Sequence, residues 1–415
     1  MKIIQKPSFY LVGGAVRDQL LGRHVKDRDW VVVGASPEWM LEQGFRPVGK
    51  DFPVFLHPDT QEEYALARTE RKTAKGYHGF QFYTDTTVTL EQDLARRDLT
   101  INAMAQTESG VLIDPYQGLD DLTNKLLRHV SSAFAEDPVR ILRVARFAAR
   151  YAPLGFTVAP ETMHLMQAMV QNGEVAALVP ERVWQEMEQA LSESMPARFI
   201  EVLHDCGALA IIFPALERLF GVPQKAEFHP EIDCGIHTLM VLQAACILTT
   251  DPKVRFAALV HDLGKGLTPQ TLWPAHTGHE LISKQLVTEW CERYRVPSHY
   301  QQLAELVAEF HGQVHKCLSL SASELVQLLV STDALRRPER FEALLIACEA
   351  DSKGRLGFEH TLYPQRHFLQ QALYSCQQVN VQNIIRQGFK GEAIRQQLYL
   401  HYEQALNALI VEQKS

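Results

Sequence analysis

The 415-residue chain has no cysteine before Cys206, no C-x-x-C pair among the seven cysteines, no apolar run of bilayer length and no surplus of basic charge. Each shortage excludes something. An odd cysteine count (Cys206, Cys234, Cys246, Cys291, Cys317, Cys348, Cys376) without zinc spacing argues against a disulfide framework or a zinc cluster. It predicts reduced, mostly packing thiols in a cytoplasmic protein. Without a stretch of about 20 apolar residues no helix is expected to span a membrane. The opening "MKIIQKPSFYLVGG" lacks a long apolar segment with a small-residue cleavage site, so it is not expected to be a signal peptide. It reads instead as a first strand over residues 9–12 that runs into two glycines. The net charge of −8 argues, on its face, against a nucleic-acid partner.

The charge distribution softens that last point. Residues 1–150 hold equal numbers of basic and acidic side chains, so the whole deficit falls in the remainder. Basic groups also cluster in "ARTERKTAK", "ARRD" and "RILRVARFAAR". A local basic stripe can hold a phosphate backbone on an acidic protein. The hydrophobic and charged fractions, 46% and 22%, are those of a globular chain, and the length predicts two to four domains.

Strand patterns dominate the first part: "FYLV", "DWVVV", "PVFLHP", "EYALA", "VTL", "INAMAQ" and "GVLIDP". Short helices are expected at "VRDQLLG" and "SPEWMLEQG", the second capped by Ser36 with Pro37 at its first position. From about residue 119 the period becomes helical, as in "EDPVRILRVARFAARY". A Pro/Gly-rich stretch over residues 213–235 marks an internal boundary. A loop with movable glycines, Gly76 and Gly79, is expected around "TAKGYHGFQFYTD".

Chemistry concentrates in "LVGGAVRDQLLGRHVKDRDWVVVG", residues 11–34. Strand side chains alternate, so Asp27 and Asp29 point the same way if a strand begins there. Two carboxylates so close repel unless a cation lies between them, and hard oxygen ligands suit Mg²⁺, which also takes substrate phosphates. The Gly13–Gly14 turn allows close backbone approach, so its N–H groups and Arg17 can hold a triphosphate. D-x-D alone is a weak signal. The complete string is more specific. Gly13, Gly14, Val16, Arg17 and Asp18, followed by Asp27 and Asp29, resemble the nucleotidyltransferase signature of class II tRNA CCA-adding enzymes and bacterial poly(A) polymerases.

Three further elements extend the resemblance. "RRDLTINAM" matches at Arg96, Arg97, Asp98, Ile101 and Asn102, "DPYQGLDDL" at Asp114 and Gly118, and "EDPVRILRVARF" at Glu136, Asp137 and Arg140, followed by Arg143 and Arg146. The resemblance implies a template-independent polymerase of the polymerase-β superfamily. Asp27 and Asp29 would bind Mg²⁺, while Gly14, Arg17 and Arg97 would hold the triphosphate or orient nearby groups. It assigns base reading to Asp137 and Arg140, with Arg143 and Arg146 beside the nucleotide. Cytosine and adenine both pair an amine donor with a ring-nitrogen acceptor. A carboxylate only accepts and a guanidinium only donates, so such a pair on one helix face matches both bases.

A second constellation lies in "HTLMVLQAA", "ALVHDLGKG" and "LVSTDALRRPER". His261 and Asp262 close an apolar helix before a glycine-containing turn, His237 sits on an earlier helix, and Asp333 is the expected last ligand, with Asp351 in "EADSKGR" competing. Two imidazoles and two carboxylates suit a transition metal such as Ni²⁺, Mn²⁺, Co²⁺ or Fe. The pattern resembles the HD superfamily of metal-dependent phosphohydrolases. Lys265 could contact phosphate, and His276 and His279 are possible further ligands or substrate contacts. His229 reads as a turn or packing residue.

A head of the first kind followed by an HD domain resembles the multifunctional CCA proteins. Poly(A) polymerases of the superfamily carry a strongly basic C-terminal extension, whereas this chain ends "LNALIVEQKS". The expected fold is α+β: a polymerase-β-like head with a mixed sheet (1–135), a helical neck with the base-reading helix (136–227), an HD domain (228–336) and a helical tail (337–415). The implied enzyme adds C-C-A to tRNA from CTP and ATP with Mg²⁺. Its HD domain would supply 2′,3′-cyclic phosphodiesterase, 2′-nucleotidase and phosphatase activity with Ni²⁺ or another transition metal. A cytoplasmic monomer or homodimer with no membrane partner is expected. Poly(A) synthesis, and tRNA binding without catalysis, are the competing readings.

Overall fold

The computed structural model describes residues 6–48, 54–72, 80–83 and 85–414. Gly76 and Gly79, the glycines of the expected loop, lie outside these residues. The chain divides into two compact units, Met1–Ile212 and Phe213–Ser415.

The first unit has eleven described strands. Nine of them are β1 (Ser8–Val12), β2 (Asp29–Val33), β3 (Arg46–Val48), β4 (Val54–Leu56), β5 (Glu63–Leu66), β6 (Thr69–Lys72), β7 (Phe80–Tyr83), β8 (Ala105–Thr107) and β9 (Leu112–Ile113); the other two, Leu126–Leu127 and Thr157–Val158, pair with each other. Seven of them form one sheet in the order β3-β4-β5-β2-β1-β8-β9. It is mixed, because β2 and β5 run parallel while their other neighbours are antiparallel. β6 and β7 pair separately, so the end of the expected loop is strand. "VTL" is not a strand. Thr89 instead caps the helix Leu90–Ala95 in a reciprocal box with Gln92.

Alternation along β2 sends Val31 to one face and Val32 to the other. Val31 packs with Val12, Leu94 and Ala105, and Val32 with Met40, Phe55 and Leu66. Burial on both faces fixes the register, which sets Val12 opposite Asp29. The glycine turn after β1 is thereby held at the mouth of β2. Ser36 caps the helix Pro37–Glu42 as its sequence predicts, accepting from the Trp39 N–H. Beyond the sheet, the helix Val139–Tyr151 has most of its length buried.

The second unit is helical. Its core joins small residues of three helices, Cys234–Leu248, Pro252–Val260 and Pro338–Lys353, through Val241, Ala245, Ala258 and Ala350. Gly354 explains how close two of them come. A Cβ there would stand 2.5 Å from the Val241 Cα, so only glycine lets the end of Pro338–Lys353 close on Cys234–Leu248. All seven cysteines are free thiols, and burial pushes Cys234, Cys291, Cys317 and Cys376 up to about 12. Among the described residues no helix is long and apolar enough to cross a membrane.

Candidate active sites

The first site is a cavity of about 610 Å³ in the N-terminal unit. Its described lining contains nine arginines against four carboxylates, Asp29, Glu63, Asp98 and Asp137. Such a wall attracts polyanions. Gly13, Gly14, Asp29, Arg97, Arg140, Arg143 and Arg146 all line it. Gly13 has a φ of 66°, and a Cβ on it would meet Arg97 Nη1 at 2.8 Å. The turn therefore needs glycine for its conformation, and a side chain there would also push the Arg97 guanidinium aside.

Asp29 opens β2, with Asp27 in the segment just before it, so strand alternation does not itself align the two. Their charges interact nonetheless. Partial desolvation raises the Asp29 pKa, Arg97 opposes this, and Asp27 adds to it. The donors present are hard oxygens, with Glu63 directly across from Asp29 on the neighbouring strand. That set fits Mg²⁺.

The arginines divide by what holds them. Arg17 is buried: its Nε donates to Asp18 Oδ1 (2.9 Å) and its Nη1 to Asn102 Oδ1 (2.5 Å), and its guanidinium lies over Tyr151 and Phe147. Here it braces the turn against the helix Val139–Tyr151 more than it offers a free clamp for phosphate. Asp93, buried and unremarked in the sequence, accepts from Arg96 and Arg97. Asp98 accepts from Leu99 N, Asn102 Nδ2 and Arg143 Nε. Burial opposes the charge of Asp98, but Arg143 and these hydrogen bonds outweigh it and hold the carboxyl well below the usual range. Arg146 is buried on Glu186, 2.6 Å away.

The expected helical pairing of Asp137 with Arg140 is not what forms. Asp137 is extended, with φ −121° and ψ 107°, because Pro138 follows it and disfavours the helical region there. Its carboxylate takes Arg182 Nη2 at 2.9 Å, and Arg140 donates to the carbonyls of Ala133 and Arg96. Arg182 and Glu186, four apart on the helix Pro180–Leu191, thus anchor Asp137 and Arg146.

The second site lies in the C-terminal unit, beside a cavity of about 690 Å³. His261 ends the helix Pro252–Val260, and Asp262 opens the turn Leu263–Leu267. A Cβ on Gly264 would fall 2.2 Å from the His279 carbonyl. That glycine lets the turn lie on the start of His279–Tyr294 and brings Asp262 Oδ1 to 3.0 Å from His279 Nε2. His237 Nε2 is 3.0 Å from Asp351 Oδ1, and His261 Nε2 is 3.1 Å from Asp262 Oδ2.

Asp351, not Asp333, joins this cluster. Asp333 sits in a left-handed turn (φ 58°) beyond the helix Ala322–Ser331, where Arg336, Arg337 and Arg340 surround it. Asp351 is carried in by the close approach at Gly354. Sequence reasoning also missed His311 and His315, which lie four apart on Ser298–His315 and reach Asp262 and Asp351. It missed Glu231 too, which lies 2.9 Å from His237 Nδ1.

His237 Nδ1, His261 Nε2 and Asp262 Oδ1 are buried yet have no partner in hydrogen-bonding geometry. Converging imidazole and carboxylate atoms of this kind fit a transition metal. Burial opposes the charged form of His261, but Asp262 and Asp351 outweigh it and hold its pKa up at about 10. Binding a metal there would release that proton. Lys265 is buried, donating to Asp262 Oδ2 (2.6 Å) and Gln224 Oε1 (3.0 Å). His276 is not a ligand: its Nε2 donates to the Pro223 carbonyl, which leaves Nδ1 to accept from Thr268. Burial, with the neighbouring His237 adding to it, drives His229 down to about 4; its ring lines this cavity, 3.2 Å from Glu231 Oε1.

A mixed sheet presenting carboxylates to an arginine-walled cavity, joined in one chain to a buried His–Asp cluster, defines a nucleotidyltransferase head with an HD-type phosphohydrolase domain. Family models agree: the poly(A) polymerase head domain matches residues 9–128, the probable RNA and SrmB-binding site of polymerase A residues 155–220, and the HD domain residues 235–353. The chain belongs to the multifunctional CCA protein family. It is 60% identical to the member from Thioalkalivibrio sulfidiphilus over 97% of this chain and 98% of that one. It is 57% identical to the member from Teredinibacter turnerae over 94% and 95%. Its fold is that of the Bacillus stearothermophilus CCA-adding enzyme solved with CTP, at TM-score 0.65, 21% identity and coverage of 99% and 94%. The Thermotoga maritima CCA-adding enzyme complexed with tRNA is similar at TM-score 0.62 and 22% identity, with coverage of 97% and 92%.

Proposed function

We propose that the N-terminal unit adds or repairs C-C-A at tRNA 3′ ends from CTP and ATP, releasing pyrophosphate, in the cytoplasm. The observation that carries this is the arginine-rich cavity with Asp29 and Glu63 in its wall. The relatives solved with CTP and with tRNA support the substrates. Asp27 and Asp29 would hold Mg²⁺, which when bound supplies charge neutralisation for the transferred phosphoryl group. Arg97, already beside Asp29, orients the triphosphate, and Gly13 and Gly14 keep side chains out of its way. Arg17 and Asp98 act from behind, bracing the turn and the helix Val139–Tyr151.

Base reading falls to Asp137 and Arg140. An incoming base would take over the carboxylate that Arg182 holds and the guanidinium that two carbonyls hold. Guanine and uracil present the opposite donor–acceptor order and would leave both groups unpaired, at a cost that hydrogen-bonding sites convert into strong rejection. Arg143 and Arg146 line the same wall and keep the field positive.

The C-terminal unit is read as a metal-dependent phosphohydrolase for 2′,3′-cyclic phosphates, 2′-nucleotides and phosphomonoesters. His237, His261, Asp262 and Asp351 would hold Ni²⁺ or another transition metal, which when bound lowers the pKa of its water. Product length on a tRNA lacking C-C-A tests the first activity. Three ordered additions are expected; a long A tail or no extension would refute it.

A further inference from the structure

We propose that the C-terminal cavity holds a second phosphate of its substrate, with Arg355 and Lys316 receiving the 5′-phosphate of the nucleotide whose 2′,3′ end is hydrolysed. The inference rests on the phosphohydrolase reading and names the substrate class of that site. The cavity, about 690 Å³, reaches beyond the His–Asp cluster and has room for a whole nucleotide. Asp262 and Asp351 lie in its lining, and so do two cations outside the cluster, Lys316 and Arg355. Lys316 directly follows His315, whose Nε2 is 2.7 Å from Asp351 Oδ2. Arg355 comes four residues after Asp351, just past the end of the helix Pro338–Lys353. The chain therefore delivers both cations beside members of the cluster.

Neither cation has a carboxylate partner among the described residues. Lys265, in the same cavity, is by contrast paired with Asp262 Oδ2 at 2.6 Å. Arg355 donates to neutral groups: Nε to the Ser352 carbonyl (2.9 Å), Nη2 to Ser352 Oγ (3.1 Å) and Nη1 to the Phe228 carbonyl (3.3 Å). Phe358 supports its guanidinium from one face, with the ring centroid 4.4 Å away. Two of the five guanidinium N–H groups remain for a ligand. An arginine held in place with its charge uncompensated suits phosphate, which it can bind through two oxygens at once. Lys316 is exposed and adds a second positive charge. The third carboxylate of the described lining, Glu280, stands instead by His279 Nδ1, 3.5 Å away. Phe228 offers a surface for a base: it lines the cavity and is 49% exposed, while Arg355 holds its carbonyl. Leu356 N donates to Glu231 Oε2 (3.3 Å), which ties the loop after Gly354 to the same segment. In a ribonucleotide the 5′-phosphate and a 2′,3′-cyclic phosphate flank one sugar. With the reacting phosphate at the cluster, the other falls to Arg355 and Lys316.

The test measures kcat/KM of the full-length, Ni²⁺-loaded protein for adenosine 2′,3′-cyclic phosphate with and without a 5′-phosphate. A dinucleotide ending in the same cyclic phosphate is the third substrate, and it separates a phosphodiester of an RNA chain from a free 5′-phosphate. A 5′-phosphorylated form should be preferred about tenfold or more, because a charge-assisted contact is gained. Arg355→Gln should bring that preference to near unity, and Lys316→Gln should lower it. The preference is a ratio within one protein, so general losses of activity or stability cancel. Independently of turnover, calorimetry should count one adenosine 3′,5′-bisphosphate site fewer in Arg355→Gln than in the wild type. Equal kcat/KM on all three substrates in the wild type would overturn the subsite, leave the phosphohydrolase reading intact and reduce Arg355 to a brace at its helix end. A preference that survives in both variants, or an equal site count, would overturn the assignment to these residues. No hydrolysis of any of the three would overturn both readings.

Discussion

Single side chains set both chemistries, and several are irreplaceable for identifiable reasons. Asp29→Ala should reduce nucleotide addition at least about 100-fold, since it removes a proposed metal ligand and such a metal contributes several kcal/mol to the transition state. Asp29 lies at the exposed start of β2, so the unfolding midpoint should stay near wild type, which thermal melting would check. In the C-terminal unit the two competing aspartates separate cleanly. Asp351→Ala should abolish phosphohydrolase activity, whereas Asp333→Ala should leave it within about twofold, because Asp333 is a surface partner of arginines and such pairs contribute little. Steady-state hydrolysis of a 2′,3′-cyclic nucleotide would show it. Gly264→Ala should cost about 3 kcal/mol or displace the turn, because its Cβ would strike a backbone carbonyl. Hydrolysis should fall with it, while addition persists.

At the scale of the element, the helix Val139–Tyr151 ties the proposed base-reading residues to the rest of the first unit. Its Arg143 is held by Asp98, whose depressed pKa makes a stability prediction with a definite sign. The unfolded carboxyl titrates at about 3.9, above its folded value, so the stabilisation is fully present above that pH and lost as pH falls toward the folded value. Asp98→Asn should therefore destabilise the unit by about 2 kcal/mol at pH 7, a difference that shrinks as pH drops below about 4. Denaturant titrations of both proteins across pH 3–7 would measure it. The head's elements were largely legible, because turn glycines, a cap at Ser36 and β-branched runs are local signals. Asp137 is instructive: Pro138 after it signalled an extended residue, yet the helical spacing to Arg140 took precedence. Its partner Arg182 was not legible, since 45 residues separate them. Nor was the choice of Asp351 over Asp333, which turns on how closely a glycine lets two helices approach. Gly354, three residues after Asp351, carried that signal.

Across the whole molecule, two compact units carry two donor sets of different character. One offers oxygen ligands in an arginine-lined cavity, the other buried imidazoles and carboxylates. Hard and borderline ions should therefore partition between them. Removing transition metal with a selective chelator in excess Mg²⁺ should silence hydrolysis and spare addition. The account stands most directly on a double dissociation, measured as tRNA extension and cyclic-phosphate hydrolysis by Asp29→Ala and Asp262→Ala proteins in parallel. The prediction is that Asp29→Ala loses extension and keeps hydrolysis, and that Asp262→Ala does the reverse. Loss of both activities in Asp262→Ala, with its circular dichroism unchanged, would contradict two independent centres.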